Sequence, residues 1–412
     1  MEEAALRYLY QPSIWMEVTI LLVILCSFPK PKVLTAVMAA LLLLRPNERF
    51  ECFVSYPKVI FPILAISLFL FTDKESRTKQ LSFDKPLLYF IAVISVQTVV
   101  LHSSDIVRNF EFLIVGVLLY YAVNMFSNEQ GGVKLLCYAI VCSCLFITGE
   151  AVYYHFTEPV GSQIWRVFHG GNVGRLQAWG NWANANETAF ISCLGVANVL
   201  YLCANLNSKL FYTISLTLIP FFAFVVFLTG SRAGLATLVL IFIPMALLLG
   251  SNIGKAIVVM AIVAAVLLSS VYAPERVDLE ASSEDRFDLR YGAIKLFQQN
   301  PIKGVGFQRI KYDLGGMAVH NTYLQAIAET GVIGASFLFY FLYKLGTRIY
   351  FAIMYFKNKK TFNLNVALVT GQYVSSLFYF LWGNQLLSVL FFLILAQINT
   401  VLDLNGDGSE NI

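Results

Sequence analysis

Charged side chains are scarce in this chain. Asp, Glu, Lys and Arg together make up 13% of the 412 residues, whereas hydrophobic residues make up 58%. Because charged residues make up about 25% of an average soluble domain, this composition excludes an ordinary water-soluble globular protein. The net charge of +4 is spread over many loops and does not indicate a nucleic-acid partner, since basic residues in such a chain more often set membrane topology.

Familiar catalytic and metal-binding patterns are also missing. The sequence contains no Walker lysine loop, no Gly-x-Ser-x-Gly and no His-Glu-x-x-His. The seven cysteines form no Cys-x-x-Cys pair and lie mostly in or beside apolar segments, so we interpret them as small buried side chains. Glu284, Asp285 and Asp288 are interleaved with arginines, which favours solvated ion pairs over a metal site. We therefore expect neither a metal nor a cofactor.

Long apolar segments dominate what is present. A helix needs about 20 apolar residues to cross a bilayer, and blocks near this length predict an all-α, polytopic integral membrane protein with about 12 transmembrane helices. Prolines interrupt the first three blocks, which leaves the number of N-terminal spans open. We treat residues 1–412 as a single transmembrane domain. The blocks lie at 14–28, 32–45, 57–71, 86–101, 108–126, 133–155, 184–206, 210–229, 233–250, 254–273, 321–356, 366–382 and 384–402.

The basic residues predict how these helices are oriented. The two strongest Lys/Arg clusters lie at 74–85 and 344–360, and the positive-inside rule places them in the cytoplasm. The loop at 156–183, the hairpin at 230–232 and the long insertion at 274–320 then lie together on the opposite side. For a Gram-negative inner membrane this side is the periplasmic face.

Two arginines in these outer loops are candidate site residues. Arg175 follows a glycine-rich stretch, and Arg232 lies between two apolar blocks with a glycine nearby on each side. Ionisable residues beside hydrocarbon are costly and are functional candidates by default. Since the planar guanidinium matches phosphate oxygens, both could bind an anionic substrate. The structural alternatives are an interfacial end-cap for Arg232 and a solvated loop position for Arg175.

Further candidates lie near the ends of predicted helices. Asn184, Asn186 and Glu187 open the helix that begins near 184, where they either cap it or orient a sugar or an arginine. Arg286 and Arg290 project from one face of a predicted helix, where they either meet phosphates or pair with neighbouring acids.

That helix in the outer insertion is predicted to be amphipathic. Serines at 282–283 followed by two acids form a helix start, and Pro301 ends the helix because proline disfavours an α conformation in the preceding residue. One face is apolar, a pattern suited to the membrane interface. It consists of Leu289, Ala293, Leu296 and Phe297.

His320 is the candidate proton-transfer group. Its unperturbed pKa lies near neutral pH, which suits a general base or acid, and it begins an apolar helix that continues through Tyr323. A lone histidine at a helix start is more often structural. His155 and His169 share the outer loop with Arg175 and are weaker candidates.

Together these motifs resemble the O-antigen ligase and polymerase superfamily of bacterial surface-glycan assembly. The similarity covers roughly 170–340, and in one motif Trp182 stands where proline is often found. The motifs are Gly180-x-x-x-Asn184-x-Asn186, Gly230-Ser-Arg-Ala-Gly-Leu235, Arg286 and Arg290 followed by Pro301-x-x-Gly-Val-Gly306, and His320-Asn-x-Tyr-Leu-Gln325 with Glu329-x-Gly331-x-x-Gly334.

The resemblance implies a metal-independent, inverting glycosyltransferase of the GT-C type with a periplasmic site. Its donor is a glycan linked to undecaprenyl diphosphate, a membrane lipid carrier, and an acceptor hydroxyl attacks the anomeric carbon as the lipid diphosphate leaves. Arg175, Arg232 and His320 are then the expected catalytic residues, and a chain-length regulator is a family-level partner. The residues expected to bind substrate are Arg286, Arg290, Asn184, Asn186, Glu187 and Tyr323.

The acceptor stays open at this point. A polymerase extends one lipid-linked repeat with another, whereas a ligase transfers the glycan to lipid A–core. The Asn-x-Tyr-Leu sequence after His320 looks more like the polymerase branch, which we favour. A lipid-linked glycan transporter is the alternative from a different class, but it predicts repeats and charges near the bilayer midplane, and neither is apparent.

Overall fold

A computed structural model describes most of the chain, and every structural statement below refers to that part. The regular secondary structure in it is entirely helical, so the prediction of an all-helical membrane protein is confirmed. The count of about 12 spans stays a prediction. The described residues are 14–44, 56–72, 84–101, 104–127, 130–169, 175–178, 184–206, 208–249, 279–315, 319, 321–355, 371 and 385–406.

Fourteen helices lie within these ranges, and most begin and end within a few residues of the predicted apolar blocks. The block at 254–273 and nearly all of 366–382 lie outside the described residues. The helices are α1 Ile14–Ser27, α2 Pro31–Leu44, α3 Tyr56–Phe71, α4 Lys85–Leu101, α5 Ser104–Phe126, α6 Gln130–Thr157, α7 Gln163–Phe168, α8 Ala185–Asn205, α9 Lys209–Thr229, α10 Arg232–Leu249, α11 Leu279–Gln299, α12 Arg309–Asp313, α13 Thr322–Tyr355 and α14 Gln385–Gly406.

Four of the described helices, α6, α8, α9 and α13, are long and apolar enough to cross a membrane by themselves. Shorter apolar stretches occur in α1 to α5, α10 and α14. At the centre is α8, which is buried along nearly its whole length, and a helix enclosed on all sides belongs to the interior of a bundle. It packs against α6, α9 and α10, while α14 packs on α5 and α13 packs on α4.

The described cysteines only partly match their predicted role. Cys137, Cys144 and Cys193 are buried, as predicted, whereas Cys26 and Cys142 are exposed on the helix surface. An apolar helix in a bilayer can present a small hydrophobic side chain to lipid as readily as to protein, so hydrophobicity alone did not separate these positions.

A polar network joins three helices at the end of the bundle that is predicted to face the cytoplasm, which we call the inner end. Arg348 of α13 donates hydrogen bonds to Asn399 and Asp403 of α14. The Asn399 Nδ2 atom donates to the Asn124 Oδ1 atom of α5 at 3.1 Å. Since unpaired polar groups are costly in hydrocarbon, this network fixes how α13 sits against α5 and α14.

The opposite end, where α6 and α9 end and α8 and α13 begin, is the outer end. α13 has 34 residues, but the non-helical Gly331 divides it into two helical parts. The part after Gly331, from Val332 to Tyr355, is about 36 Å long at 1.5 Å per residue, which is enough to cross a hydrocarbon layer about 30 Å thick. Around the first turns of α13 a second, smaller core forms from buried Ala293, Ile310, Val319 and Ala328.

Two predictions about α11 are wrong. It begins at Leu279, not at 282–283, because Leu-Glu-Ala before the serines consists of good helix formers. The face that contains Ala293, Leu296 and Phe297 packs into the second core against α12 and α13. It therefore contacts protein and not the membrane interface, while the predicted end before Pro301 is confirmed.

Candidate functional site

The entry of α8 and the turn between α9 and α10 are joined directly at the outer end. The Asn184 side chain caps α8 by accepting from the Asn186 backbone N–H at 2.8 Å. The Ser231 hydroxyl donates to the Asn186 Oδ1 atom at 2.6 Å and accepts from the Gly234 N–H at 3.0 Å. Capping is thus the structural role of Asn184, whereas Asn186 connects α8 to the turn that carries Arg232.

Arg232 is exposed at the first position of α10. It has no ion-pair partner among the residues that the structure describes. A cation at a helix N-terminus opposes the helix dipole, which favours negative charge there, so helix stability does not explain this residue. Its guanidinium and the positive end of the α10 dipole would each attract an anion.

The segment 175–178 carries Arg175 and is held by three helices. The Gln177 N–H donates to the Phe168 carbonyl of α7 at 3.0 Å, and the Leu176 N–H donates to the Leu228 carbonyl of α9 at 3.3 Å. The Ala178 N–H donates to the Thr188 hydroxyl of α8 at 2.8 Å. Arg175, which is half-buried, therefore lies close to the turn that carries Arg232.

Glu187 lies between these points of attachment. It is buried in the first turn of α8, between Asn186, which binds Ser231, and Thr188, which binds Ala178. A carboxylate is favourable at a helix N-terminus. The structure thus brings Asn186, Glu187 and the backbone segments of both arginines together at the outer end.

The two weaker histidine candidates form an aromatic stack beside this group. The His169 ring stacks on His155, with centroids 4.1 Å apart, and on Trp165, with centroids 3.8 Å apart. The His169 Nδ1–H donates to the Trp165 carbonyl at 2.8 Å. Because His169 directly follows Phe168, whose carbonyl holds Gln177, the stack supports the segment that carries Arg175.

The His169 stack predicts a stability change in mildly acidic solution. Burial lowers the pKa of His169 from its ordinary value of 6.5, partly offset by the bond to the Trp165 carbonyl. The unfolded chain therefore binds more protons between the two pKa values, and stability present above pH 6.5 is lost as the pH falls toward the folded-state pKa. We expect the melting temperature in detergent to fall over this window.

The matched variant for that measurement is His169→Phe, which keeps a flat ring but cannot be protonated. Its melting temperature should depend less on pH below 6.5 than that of the unsubstituted protein. Superimposable pH profiles for the two proteins would show that the stack does not sense protonation.

A break in α13 positions the other half of the predicted motifs. Gly331 has φ of 64° and ψ of −172°, which interrupts the helix, and the segment 301–306 fills the break with backbone hydrogen bonds. The Val305 N–H donates to the Ala328 carbonyl at 2.9 Å, and the Val332 N–H donates to the Pro301 carbonyl at 2.9 Å. The backbone N–H and C=O groups that the break leaves without helical partners need such hydrogen bonds.

Sequence reasoning missed the residue that secures this junction. The Gln97 Nε2 atom of α4 donates to the Lys303 carbonyl at 2.7 Å and to the Glu329 carbonyl at 3.1 Å. The only signal was that Gln97 is the one long polar side chain within the apolar stretch 86–101. It connects α4, the segment 301–306 and the first half of α13.

The remaining candidates are not joined to the first group by any described contact. His320 lies outside the described residues, between buried Val319 and Asn321, whose side chain accepts from the Leu324 N–H at 3.0 Å. Tyr323 is half-buried and packs against the main core, with its ring centroid 5.8 Å from that of Phe339.

The two α11 arginines stand apart as well. Arg290 is exposed on α11, with no ion-pair partner among the described residues, and the Arg286 side chain lies outside the described part.

The fold and this site define a polytopic helical membrane protein in which two arginine-bearing segments are joined at the outer end. Residues 216–339 match the model of a family described as O-antigen ligase, a stretch from α9 to α13 that includes Arg232, α11 and the docked segment 301–306. This match confirms, for the region that it covers, the resemblance to the O-antigen ligase and polymerase superfamily that the motifs predicted. No curated protein matches the chain at a significant level.

Proposed function

We propose that this protein is a surface-polysaccharide glycosyltransferase of the bacterial inner membrane. It transfers a glycan from undecaprenyl diphosphate to an acceptor hydroxyl at the periplasmic face. One observation carries this proposal: hydrogen bonds from Leu176 to Leu228 and from Ser231 to Asn186 hold the segments of Arg175 and Arg232 together. Two guanidinium groups at one end of a membrane bundle suit a lipid-linked diphosphate.

The proposed reaction is a single displacement. The acceptor oxygen forms a bond to the anomeric carbon while the bond from that carbon to the diphosphate oxygen breaks, and the configuration inverts. The lipid diphosphate leaves with the bonding electrons, and Arg175 and Arg232 stabilise its growing negative charge in place of a metal, which is typically the largest catalytic contribution. His320 accepts the proton of the acceptor hydroxyl.

We favour polymerisation over ligation, although two observations point to different acceptors. The sequence Asn321-x-Tyr323-Leu324 favours a polymerase, which uses a second lipid-linked repeat as acceptor. The family description of the matched region favours a ligase, which uses lipid A–core. A chain-length regulator would act with the polymerase only.

An acceptor assay separates these two functions. Purified protein in liposomes should convert lipid-linked repeats alone into longer lipid-linked chains, because a polymerase uses the same molecule as donor and acceptor. The product is measured by gel electrophoresis of the glycan. Formation of product only after lipid A–core is added would assign the ligase reaction and overturn the polymerase.

His320→Ala is the control that separates catalysis from transport in this assay. If His320 accepts the acceptor proton, this variant should still bind the lipid-linked donor but form no product. If the variant formed product at the rate of the unsubstituted protein, His320 would have no part in the mechanism. If the unsubstituted protein moved the donor across the liposome membrane but formed no product, the result would favour a transporter.

A further inference from the structure

A stripe of large apolar side chains lies exposed along α11. Phe287, Tyr291 and Ile294 are 69%, 51% and 41% exposed, respectively. Their spacing of four and three residues places them on one face of the helix. We call this face the α11 stripe.

The α11 stripe is separate from the face that holds α11 to the protein. Ala293 is buried in the second core, with Leu296 and Phe297 packed against it. At 100° per residue Ala293 and Leu296 lie on the side away from the stripe, and Phe297 lies between the two faces. The helix therefore has two apolar faces, and the described part of the chain covers only one of them. An exposed contiguous apolar surface of this kind marks an interaction site.

The exposed apolar surface of α13 continues toward the end of α11. Val332 and Ile333 are exposed on α13, which is long and apolar enough to span a membrane, so these side chains face hydrocarbon. The Ile333 N–H donates to the Ile302 carbonyl at 3.4 Å, and the Ile302 side chain is 67% exposed. The lipid-facing surface thus reaches Ile302, three residues beyond the end of α11.

The residues beside the stripe are those that membrane interfaces favour. The Lys295 Nζ atom lies 4.6 Å from the centroid of the Tyr291 ring, and Arg290 is exposed on the other side of the stripe. Tyrosine rings sit at headgroup level, and long basic side chains cover apolar surface while their charges reach water or phosphate. With the exposed Asp288 included, the described side chains beside the stripe comprise two basic residues and one acidic residue.

We propose that the α11 stripe binds the phospholipid surface of the leaflet at the outer end, with Phe287, Tyr291 and Ile294 inserted at the boundary between headgroups and acyl chains. Helices with an apolar face and basic flanks bind membranes in this way. The occupant is the bilayer, and a second copy of the chain is the competing outcome. The membrane-facing surface of α11 is thus a different face from the one that its periodicity first indicated.

A footprinting experiment on the unsubstituted protein tests this proposal. Tyr291 and Tyr312 are each 51% exposed, but Tyr312 lies on the short polar helix α12, away from the stripe. In nanodiscs of phosphatidylethanolamine and phosphatidylglycerol, hydroxyl-radical labelling of Tyr291 should be several-fold lower than labelling of Tyr312. Equal labelling of the two tyrosines would overturn the proposal.

Photocrosslinking identifies the molecule that covers the stripe. Phe287→p-benzoylphenylalanine and Tyr291→p-benzoylphenylalanine should give phospholipid adducts by mass spectrometry after irradiation in the same nanodiscs. The matched control, Tyr312→p-benzoylphenylalanine, replaces an equally exposed tyrosine on α12 and should give several-fold fewer. Equal lipid adducts at all three positions, or protein dimers in place of lipid adducts, would contradict a bilayer-bound stripe.

Discussion

Gly304→Ala should lower the free energy of unfolding by about 2–5 kcal/mol, from strain at a left-handed residue together with overpacking. Gly304 has φ of +70°, and an added Cβ atom would lie 2.2 Å from the Glu329 carbonyl oxygen. Because the segment 301–306 fills the break in α13 through backbone contacts, no side-chain movement can relieve this overlap. The measurement is thermal unfolding in detergent, followed by tryptophan fluorescence.

Gly315 provides the matched control for this substitution. Its φ of +69° is nearly the same, but an added Cβ atom would meet nothing within 4 Å. Gly315→Ala therefore carries only the left-handed strain, about 1–2 kcal/mol. Equal losses for Gly304→Ala and Gly315→Ala would show that the close approach between 301–306 and α13 does not exist in solution.

Arg232→Ala should reduce the rate of glycan transfer about 100-fold or more, the usual cost of removing one group that stabilises developing charge. Arg232→Lys should restore only part of this rate, because an ammonium lacks the planar fork that binds two phosphate oxygens. The measurement is the initial rate of consumption of the lipid-linked donor in liposomes.

Two comparisons decide whether the Arg232 effect is catalytic. Arg166 is also exposed at the outer end, on α7, and Arg166→Ala should leave the rate nearly unchanged. Thermal stability of Arg232→Ala should stay the same or rise slightly, since a cation opposes the dipole at the start of α10. Full activity of Arg232→Ala would leave an interfacial end-cap as the role of this residue.

Local patterns in the sequence predicted most of the helices but not the contacts between distant segments. Apolar block length located α8 and α13, and proline chemistry located the end of α11, because these depend on neighbouring residues. The break at Gly331 was not predicted, since its partner segment 301–306 lies about 30 residues away and fills the break through backbone hydrogen bonds. Gln97 was missed for the same reason.

Periodicity also failed where a helix has two apolar faces. In α11 the face around Ala293 and the stripe around Tyr291 have the same repeat, so spacing alone cannot decide which one contacts protein. The choice depends on α12 and α13, which cover the first face. For the candidate site, the arginines were predicted from their residue type, whereas the link from Ser231 to Asn186 required the folded structure.

The backbone joint between 301–306 and α13 has a consequence for how such a protein can diversify. Val305, Gly306 and Val332 are held through main-chain atoms. Apart from Gln97 and the three glycines at 304, 306 and 331, which have positive φ, the joint therefore places few demands on side-chain identity. Residues of the outer insertion can therefore change while the insertion stays in register with the helix that follows His320. Such a loop could diversify without any rebuilding of the membrane scaffold.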